Sequence, residues 1–212
     1  MEFIDIIYYI NLDHREDRNT HIKQVLHDLQ VPDEKIHRIS AVWNKQRGSI
    51  GCSESHIHAV KEFLQSGKNT CIILEDDFVY EHKDTFWSSI ASVFQSNVEF
   101  DLIQLAYNHR RLVSDDTEYP CLKKVRDGQT TSGYILSKPF APTLLNNFES
   151  GWKALQTSVS EHNEYDSTYT YTLDSYWKRL QPISKWFCFH PRLGYQIPSY
   201  SDVEQVFVDY KV

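Results

Sequence analysis

Cys71-Ile72-Ile73-Leu74-Glu75-Asp76-Asp77 sets an apolar run directly against three carboxylates. A short apolar run bounded by polar residues fits a strand buried on both faces, as in a parallel sheet. Open α/β sheets collect their ligands at the carboxyl ends of such strands. Three acidic side chains at that place repel one another at neutral pH unless something positive sits among them. A divalent cation held by oxygen ligands is the simplest partner, because carboxylates suit Mg²⁺ and Mn²⁺, and a bound cation can hold a diphosphate. An acidic turn facing solvent is the plainer alternative.

The flanking sequence supports the strand reading. Phe3 to Ile10 reads as a second buried strand that breaks into polar sequence at Asn11-Leu12-Asp13. A helix from Arg15 to about Leu29 carries Ile22, Val25, Leu26 and Leu29 on one face, and Ile36 to Val42 can form a short strand. Ser49 to Ser53 reads as a turn with a capping residue, leading into a helix that ends near Gln65. After the acidic strand come a helix over Asp84 to Phe94 and a strand over Asp101 to Ala106. Residues 107–129 read as a loop or lobe with one embedded strand near Cys121 to Val125. Ser132 to Leu136 is a further strand, Pro139 suits the first position of a helix, and the pattern from Glu149 to Asn163 is weak. Leu173 to Leu180 reads as helix and Trp186 to Phe189 as the last strand, before an irregular tail. Alternating strands and helices predict an α/β fold with a mostly parallel central sheet flanked by helices.

Composition bounds the function. With 212 residues, 41% hydrophobic and 24% charged, the chain suits one folded domain over 1–212 and not a disordered segment. Val212 follows the final element closely, which leaves room for the N-terminal part of a longer polypeptide. A net charge of −7 disfavours nucleic acid as a partner. The thiols Cys52, Cys71, Cys121 and Cys188 form no Cys-x-x-Cys pair and suit a reducing compartment, so the cytoplasm is expected. Zinc is a poor reading of His56-x-His58, which lacks helical i,i+4 spacing. No membrane span or signal peptide is expected. Lysine-glycine phosphate loops and Gly-x-Gly-x-x-Gly turns are missing, so a bound nucleotide needs another device.

Several segments resemble one family. Tyr9-Ile10-Asn11-Leu12-Asp13-His14-Arg15-Glu16-Asp17-Arg18, Arg38-Ile39-Ser40-Ala41-Val42, Gly51-Cys52-Ser53-Glu54-Ser55-His56, Ile73-Leu74-Glu75-Asp76-Asp77 and Gly133-Tyr134-Ile135-Leu136 occur in the order of the motifs of glycosyltransferase family 25. That family includes lipooligosaccharide and collagen galactosyltransferases and is similar to metal-dependent transferases of the GT-A (Rossmann-like) fold. The tail from Pro191 to Asp202 looks most like versions from large DNA viruses, for which the compartment would be the host cytoplasm. Residues 107–129 have no clear family counterpart.

The resemblance implies a metal-dependent, inverting transfer of a hexose from a UDP-sugar to a glycan or glycoprotein acceptor. Mn²⁺ or Mg²⁺ would be held by Asp77 and Glu75, with Asp76 or Glu75 touching the ribose or reaching the metal through water. His190, after the last strand, is a candidate third ligand. Ile10, Asn11 and Leu12 are expected at the base, and Arg15 and Arg18 at the base or phosphates. Ser55 and His56, near a helix start, are candidates for an anion or hydroxyl, with simple capping as the alternative. Thr131, Ser132 and Gly133 are expected beside the donor sugar. Asp174 is the candidate base, with Asp166 in reserve, and an N-cap aspartate is its structural alternative. Two other classes remain open: a metal-dependent nucleotidyltransferase or phosphohydrolase, and a non-catalytic glycan- or nucleotide-binding module. The donor sugar, the linkage and the oligomeric state are not specified by these residues.

Overall fold

The structure, a computed structural model, describes residues 2–45, 47–161, 169–203 and 206–209. β1 (Ile6–Asn11) and β3 (Thr70–Glu75) are paired inner strands of its main sheet. Side chains of a strand alternate between faces. Ile6, Tyr8, Ile10, Cys71 and Ile73 therefore enter one core, and Ile7, Tyr9, Ile72 and Leu74 the other. A strand that is apolar on both faces needs cover on both. α1 (Glu16–Asp28) and α3 (Lys83–Gln95) supply it on one side through Ile22, Val25, Leu26, Phe86, Ile90 and Val93. α2 (Gly48–Gln65) and α4 (Ala141–Glu161) cover the other through Ile57, Val60, Phe63, Leu144 and Phe148.

The remaining strands of the main sheet are β2 (Ile36–Ser40), β5 (Leu102–Gln104), β6 (Val113–Asp116), β7 (Leu122–Asp127), β8 (Gly133–Ser137) and β9 (Trp186–Phe189). The order is β2-β1-β3-β8-β5-β9-β7-β6. β1 runs parallel to both β2 and β3, and β5 runs parallel to β9. β8 is inserted antiparallel between β3 and β5. Most strands thus point the same way, as the alternating pattern predicts, with β7 and β8 opposed.

Two small sheets complete the fold. β4 (Phe78–Tyr80) pairs with β10 (Gly194–Gln196), and β11 (Ser199–Ser201) pairs with β12 (Val206–Val208). The tail is therefore organised, and β10 and β4 return it to the end of β3.

The expected lobe at 107–129 is a hairpin, β6–β7, that extends the main sheet. Leu122 sits opposite Phe189 of β9, and both Leu122 and Val125 are buried. The weakly patterned stretch after Glu149 is a continuation of α4, whose inward stripe is Ala141, Leu144, Phe148, Gly151 and Leu155. Gly151 hides the periodicity because it offers no apolar side chain. It is small because the Tyr176 ring lies where a Cβ would go, 2.8 Å away. The expected helix over 173–180 breaks into the short α5 (Leu173–Tyr176) and tighter single turns at Trp177–Arg179 and Gln181–Ile183.

α2 begins earlier than the expected turn, so Gly51, Cys52 and Ser53 lie inside the helix. Gly51 permits its close approach to the 41–44 loop: a Cβ there would stand 2.3 Å from the Val42 carbonyl oxygen. Gly51→Ala is expected to destabilise the chain by about 1–3 kcal/mol, the usual cost of overpacking, and to lower Tm by roughly 3–8 °C for a domain of this size. A thermal melt followed by circular dichroism measures this, and an unchanged Tm would show that the loop yields freely.

Candidate functional site

Strand register builds the site. β1 and β3 are aligned so that Ile10 faces Glu75, and one residue further the chain places Asn11 beside Asp76. Asn11 Nδ2 donates to Asp76 Oδ2 at 2.7 Å, and Asn11 Oδ1 accepts from Arg38 Nε at 3.1 Å. On the other side of β3, Glu75 N–H donates to the Ser132 carbonyl at 2.9 Å, which brings Thr131 Oγ1 to Glu75 Oε1 at 2.6 Å. β10 completes the carboxylate end: Gln196 Nε2 donates to Asp77 Oδ1 at 3.3 Å, and Ile197 N–H to the Asp77 carbonyl at 3.0 Å.

The positive group among these acids is Arg18. From α1 its Nη1 reaches Asp76 Oδ1 at 3.0 Å and Asp77 Oδ2 at 3.1 Å. Both aspartates are 6% exposed, so the pairs are poorly screened. Burial pushes both carboxyls up against the pull of Arg18. Asp77, with Glu75 and Asp76 also repelling its charge, rises from the usual 3.8 to about 7. Glu75 behaves differently. Burial opposes its charge, but the hydrogen bond and charge of His56, with the Thr131 hydroxyl, hold it below the ordinary range. His56 is fully buried, with Nε2 3.3 Å from Glu75 Oε1 and Nδ1 3.0 Å from Tyr134 Oη.

These groups face a cavity of about 560 Å³. Ile10, Asn11, Leu12, Arg18, Ser55, His56, Glu75, Asp76, Asp77, Thr131 and Asp174 all line it. Ser55 spends its hydroxyl on structure, donating to the Gly51 carbonyl and accepting from Val42 N–H. Asp174 is half-buried in the first turn of α5, where Thr172, not Asp174, is the N-cap. Burial raises its carboxyl despite hydrogen bonds from Thr130 N–H and Thr172 Oγ1.

Four of the expected residues do not line this cavity. His190 is exposed and stands outside this cleft, beside a small separate hollow with His82 and Cys121. Its N–H donates to the Cys121 carbonyl and its ring contacts Tyr107 Oη at 3.4 Å, because β9 ends between β5 and β7, away from β3. Arg15 turns from the cavity to pair with Asp17 and Asp202, fastening the tail to α1. Ser132 and Gly133 lie beneath the floor. Gly133 is small because the Phe78 ring packs 2.8 Å from its absent Cβ. Asp166 lies outside the described residues.

Sequence reading missed several lining residues. Gln196 comes from the tail, Arg110, Arg111 and Gln129 from the hairpin lobe, and Trp43 and Arg47 from the loop before α2. Arg111 Nη1 donates to Gln129 Oε1 and to Tyr169 Oη. Arg110-Arg111, two adjacent cations in the stretch expected to be a loop or lobe, is the signal that was available.

The electrostatics fix two outcomes. Because the folded state keeps Asp77 protonated above the value of an unfolded chain, this group makes stability fall as pH rises from about 4 to 7. In metal-free buffer, Asp77→Asn is expected to gain stability relative to wild type across that window and to level off above it. Parallel chemical denaturation at pH 4.5, 6 and 8 measures the difference, and a pH-independent one would remove Asp77 as the strained group. Arg18→Gln leaves two buried carboxylates uncompensated and is expected to cost on the order of 3 kcal/mol at pH 8, with a smaller loss at pH 5. Equal losses at both pH values would contradict the charge assignment.

Comparison with known proteins follows the same lines. The profile of glycosyltransferase family 25 (LPS biosynthesis protein) matches residues 33–159, more than half of the chain. Procollagen galactosyltransferases 1-B and 1-A of Xenopus laevis are 28% and 27% identical over 177 residues, covering 67% of this chain and 28% of each frog protein. The chain thus spans under a third of those relatives' length. Mannose-1-phosphate geranyltransferase from Thermus thermophilus superposes with a TM-score of 0.55 at 9% identity, over 87% of this chain and 72% of that one. A glycosyltransferase involved in glycosylation of the major capsid of PBCV-1 gives 0.52 at 8% identity, over 94% and 95%. These two likenesses establish a GT-A-like fold, and the profile match, in agreement with the ordered motifs on β1, α2, β3 and β8, places the chain in glycosyltransferase family 25.

Proposed function

We propose that this chain is a metal-dependent, inverting glycosyltransferase that moves a hexose from a UDP-sugar to a glycan or glycoprotein acceptor. The observation that carries the reading is one cavity lined both by the carboxylate end of β3 and by Asp174. Its volume of about 560 Å³ suits a small-molecule donor. Carboxylate oxygens are the donor set that Mn²⁺ or Mg²⁺ takes. Asp77 and Glu75 would hold the ion, and the crowding that drives Asp77 toward neutrality is what an added positive charge relieves. When bound, such an ion supplies neutralisation of the charge that develops on a leaving nucleoside diphosphate.

The chain's own groups do the rest. Asn11 and Leu12, at the open end of β1, border the position for the base. Arg18 offers a fixed positive charge to the diphosphate without reorganisation. Thr131 borders the donor sugar. Asp174 accepts the proton of the attacking acceptor hydroxyl, and its raised carboxyl makes it a stronger base near neutral pH than an exposed aspartate. The names of the frog relatives put UDP-galactose first among donors to try, and the tail's resemblance to large-DNA-virus versions supports a viral glycoprotein as acceptor.

A second reading has one observation in its favour. Arg18 already compensates Asp76 and Asp77, which a metal-independent nucleotide- or glycan-binding module would also do. Calorimetric titration of UDP, GDP and CMP, each with and without Mn²⁺, separates the two. UDP binding that requires metal and disappears in Asp77→Asn supports the transferase; metal-independent binding favours the module. Asp174→Asn is expected to keep donor binding and lose about 10²–10⁴-fold in kcat, and near-normal turnover would remove Asp174 from the mechanism.

A further inference from the structure

Cys52 and His56 stand four residues apart on α2, so their side chains share one helix face. That face looks onto the end of β3, where Glu75 emerges. One ligand atom from each of Cys52, His56 and Glu75 lies within 4.8 Å of the others. All three line the cleft. The local pattern that argues against zinc at His56-x-His58 does not apply here, because the third ligand comes from a different element.

We propose that Cys52, His56 and Glu75 form a binding site for a thiophilic divalent cation, Zn²⁺ in the first place, whose fourth coordination position opens on the cleft. Thiolate, imidazole and carboxylate are the zinc donors, and three protein ligands with one open position is the arrangement of an accessible zinc site. A bound ion would require bond lengths of about 2.3 Å to sulfur and about 2.0 Å to nitrogen and oxygen, so the three atoms, within 4.8 Å of one another, would draw in around it. This set differs in softness from the all-oxygen set of the transfer reaction, so the two select different metals.

The surrounding groups are those that orient such ligands. A metal-bound histidine donates its other ring N–H to a fixed acceptor. Tyr134 Oη, 3.0 Å from His56 Nδ1, is that acceptor and leaves Nε2 for the ion. Thr131 Oγ1 donates to Glu75 Oε1 at 2.6 Å and fixes the carboxylate. Without an ion, burial and the neighbouring carboxylates keep the Cys52 thiol protonated. Binding therefore forms the metal–sulfur bond as the Cys52 S–H bond breaks, and the displaced protons leave to solvent. Glu75 belongs to both ligand sets, so the two cations would crowd one carboxylate and repel each other. On the transferase reading, which this consequence alone rests on, Zn²⁺ opposes Mn²⁺-dependent UDP binding.

The test uses the full chain, stripped with chelator and kept in a non-chelating reductant. Titration of Zn²⁺ against a chromophoric competitor is expected to give one ion per chain with release of protons. Co²⁺ is expected to give an intense near-ultraviolet thiolate-to-metal band. Cys52→Ser should lose the band and weaken Zn²⁺ by more than about 100-fold, beyond the loss typical of removing a supporting residue. Cys121→Ser, on the far side of the sheet's end, should keep both. A wild-type chain with no cobalt–thiolate band overturns the site, and this readout does not depend on any variant folding. A band or a zinc affinity that survives Cys52→Ser also overturns it. Absence of UDP–Mn²⁺ binding would strike the transferase reading and leave these metal readouts standing.

Discussion

The guanidinium of Arg18 is the contact on which the rest of the site depends. It lies about 3 Å from carboxylate oxygens of both Asp76 and Asp77. At an effective dielectric of about 20, each such contact is worth roughly 5 kcal/mol before desolvation, and the burial of all three groups offsets much of that. The same side chain reaches Ser199 Oγ at 2.5 Å and the Tyr200 carbonyl at 2.8 Å. One cation from α1 therefore neutralises the end of β3 and anchors the tail that walls the cleft. Arg15, three residues earlier, reinforces that anchor through Asp202.

Charge is divided within the acidic triplet. Glu75 points to one side, to His56 and Thr131, and stays ionised; Asp76 and Asp77 share Arg18, and Asp77 is left the most crowded of the three. The strand stops at Glu75, and Asp76 and Asp77 lie in the turn before β4, where strand alternation no longer applies and both carboxylates reach the one guanidinium. A single site can then hold carboxylates of unlike basicity a few ångströms apart, which is a useful property where one group must bind a cation and another must stay paired.

The cleft's second wall is made of parts that are far apart in sequence. Thr130 and Gln129 come from the connection between β7 and β8, Asp174 from α5, and Gln196 from β10. They meet because Gln181 and Trp177 clamp Gly128. Gln181 exchanges hydrogen bonds with both Gly128 backbone groups at 2.8 Å, and Trp177 Nε1 donates to its carbonyl at 3.1 Å. Gln181 is fully buried, so its side chain satisfies a backbone that no strand partner serves. That clamp holds the loop that carries Thr130, whose N–H in turn reaches Asp174.

By itself the sequence determined two inner strands of the sheet, because Ile6 to Asn11 and Thr70 to Glu75 are apolar on both faces and end in polar residues, a pattern with few physical solutions. It likewise determined that Asn11 and the acidic triplet share one end of that sheet, since parallel neighbours finish on the same side. Helix α1 was legible from its stripe, whereas the full length of α4 was not, because Gly151 faces an aromatic ring where a periodic pattern needs an apolar side chain. Only the tertiary structure decided what the acids meet. Arg18, equally at home in a solvated first helical turn, is turned inward, while Arg15 is spent on the tail and His190 is carried away by the position of β9. Cys52 and His56 show the same limit: their spacing on α2 is visible in the chain, but the carboxylate that faces them comes from β3, and long-range packing alone sets that distance.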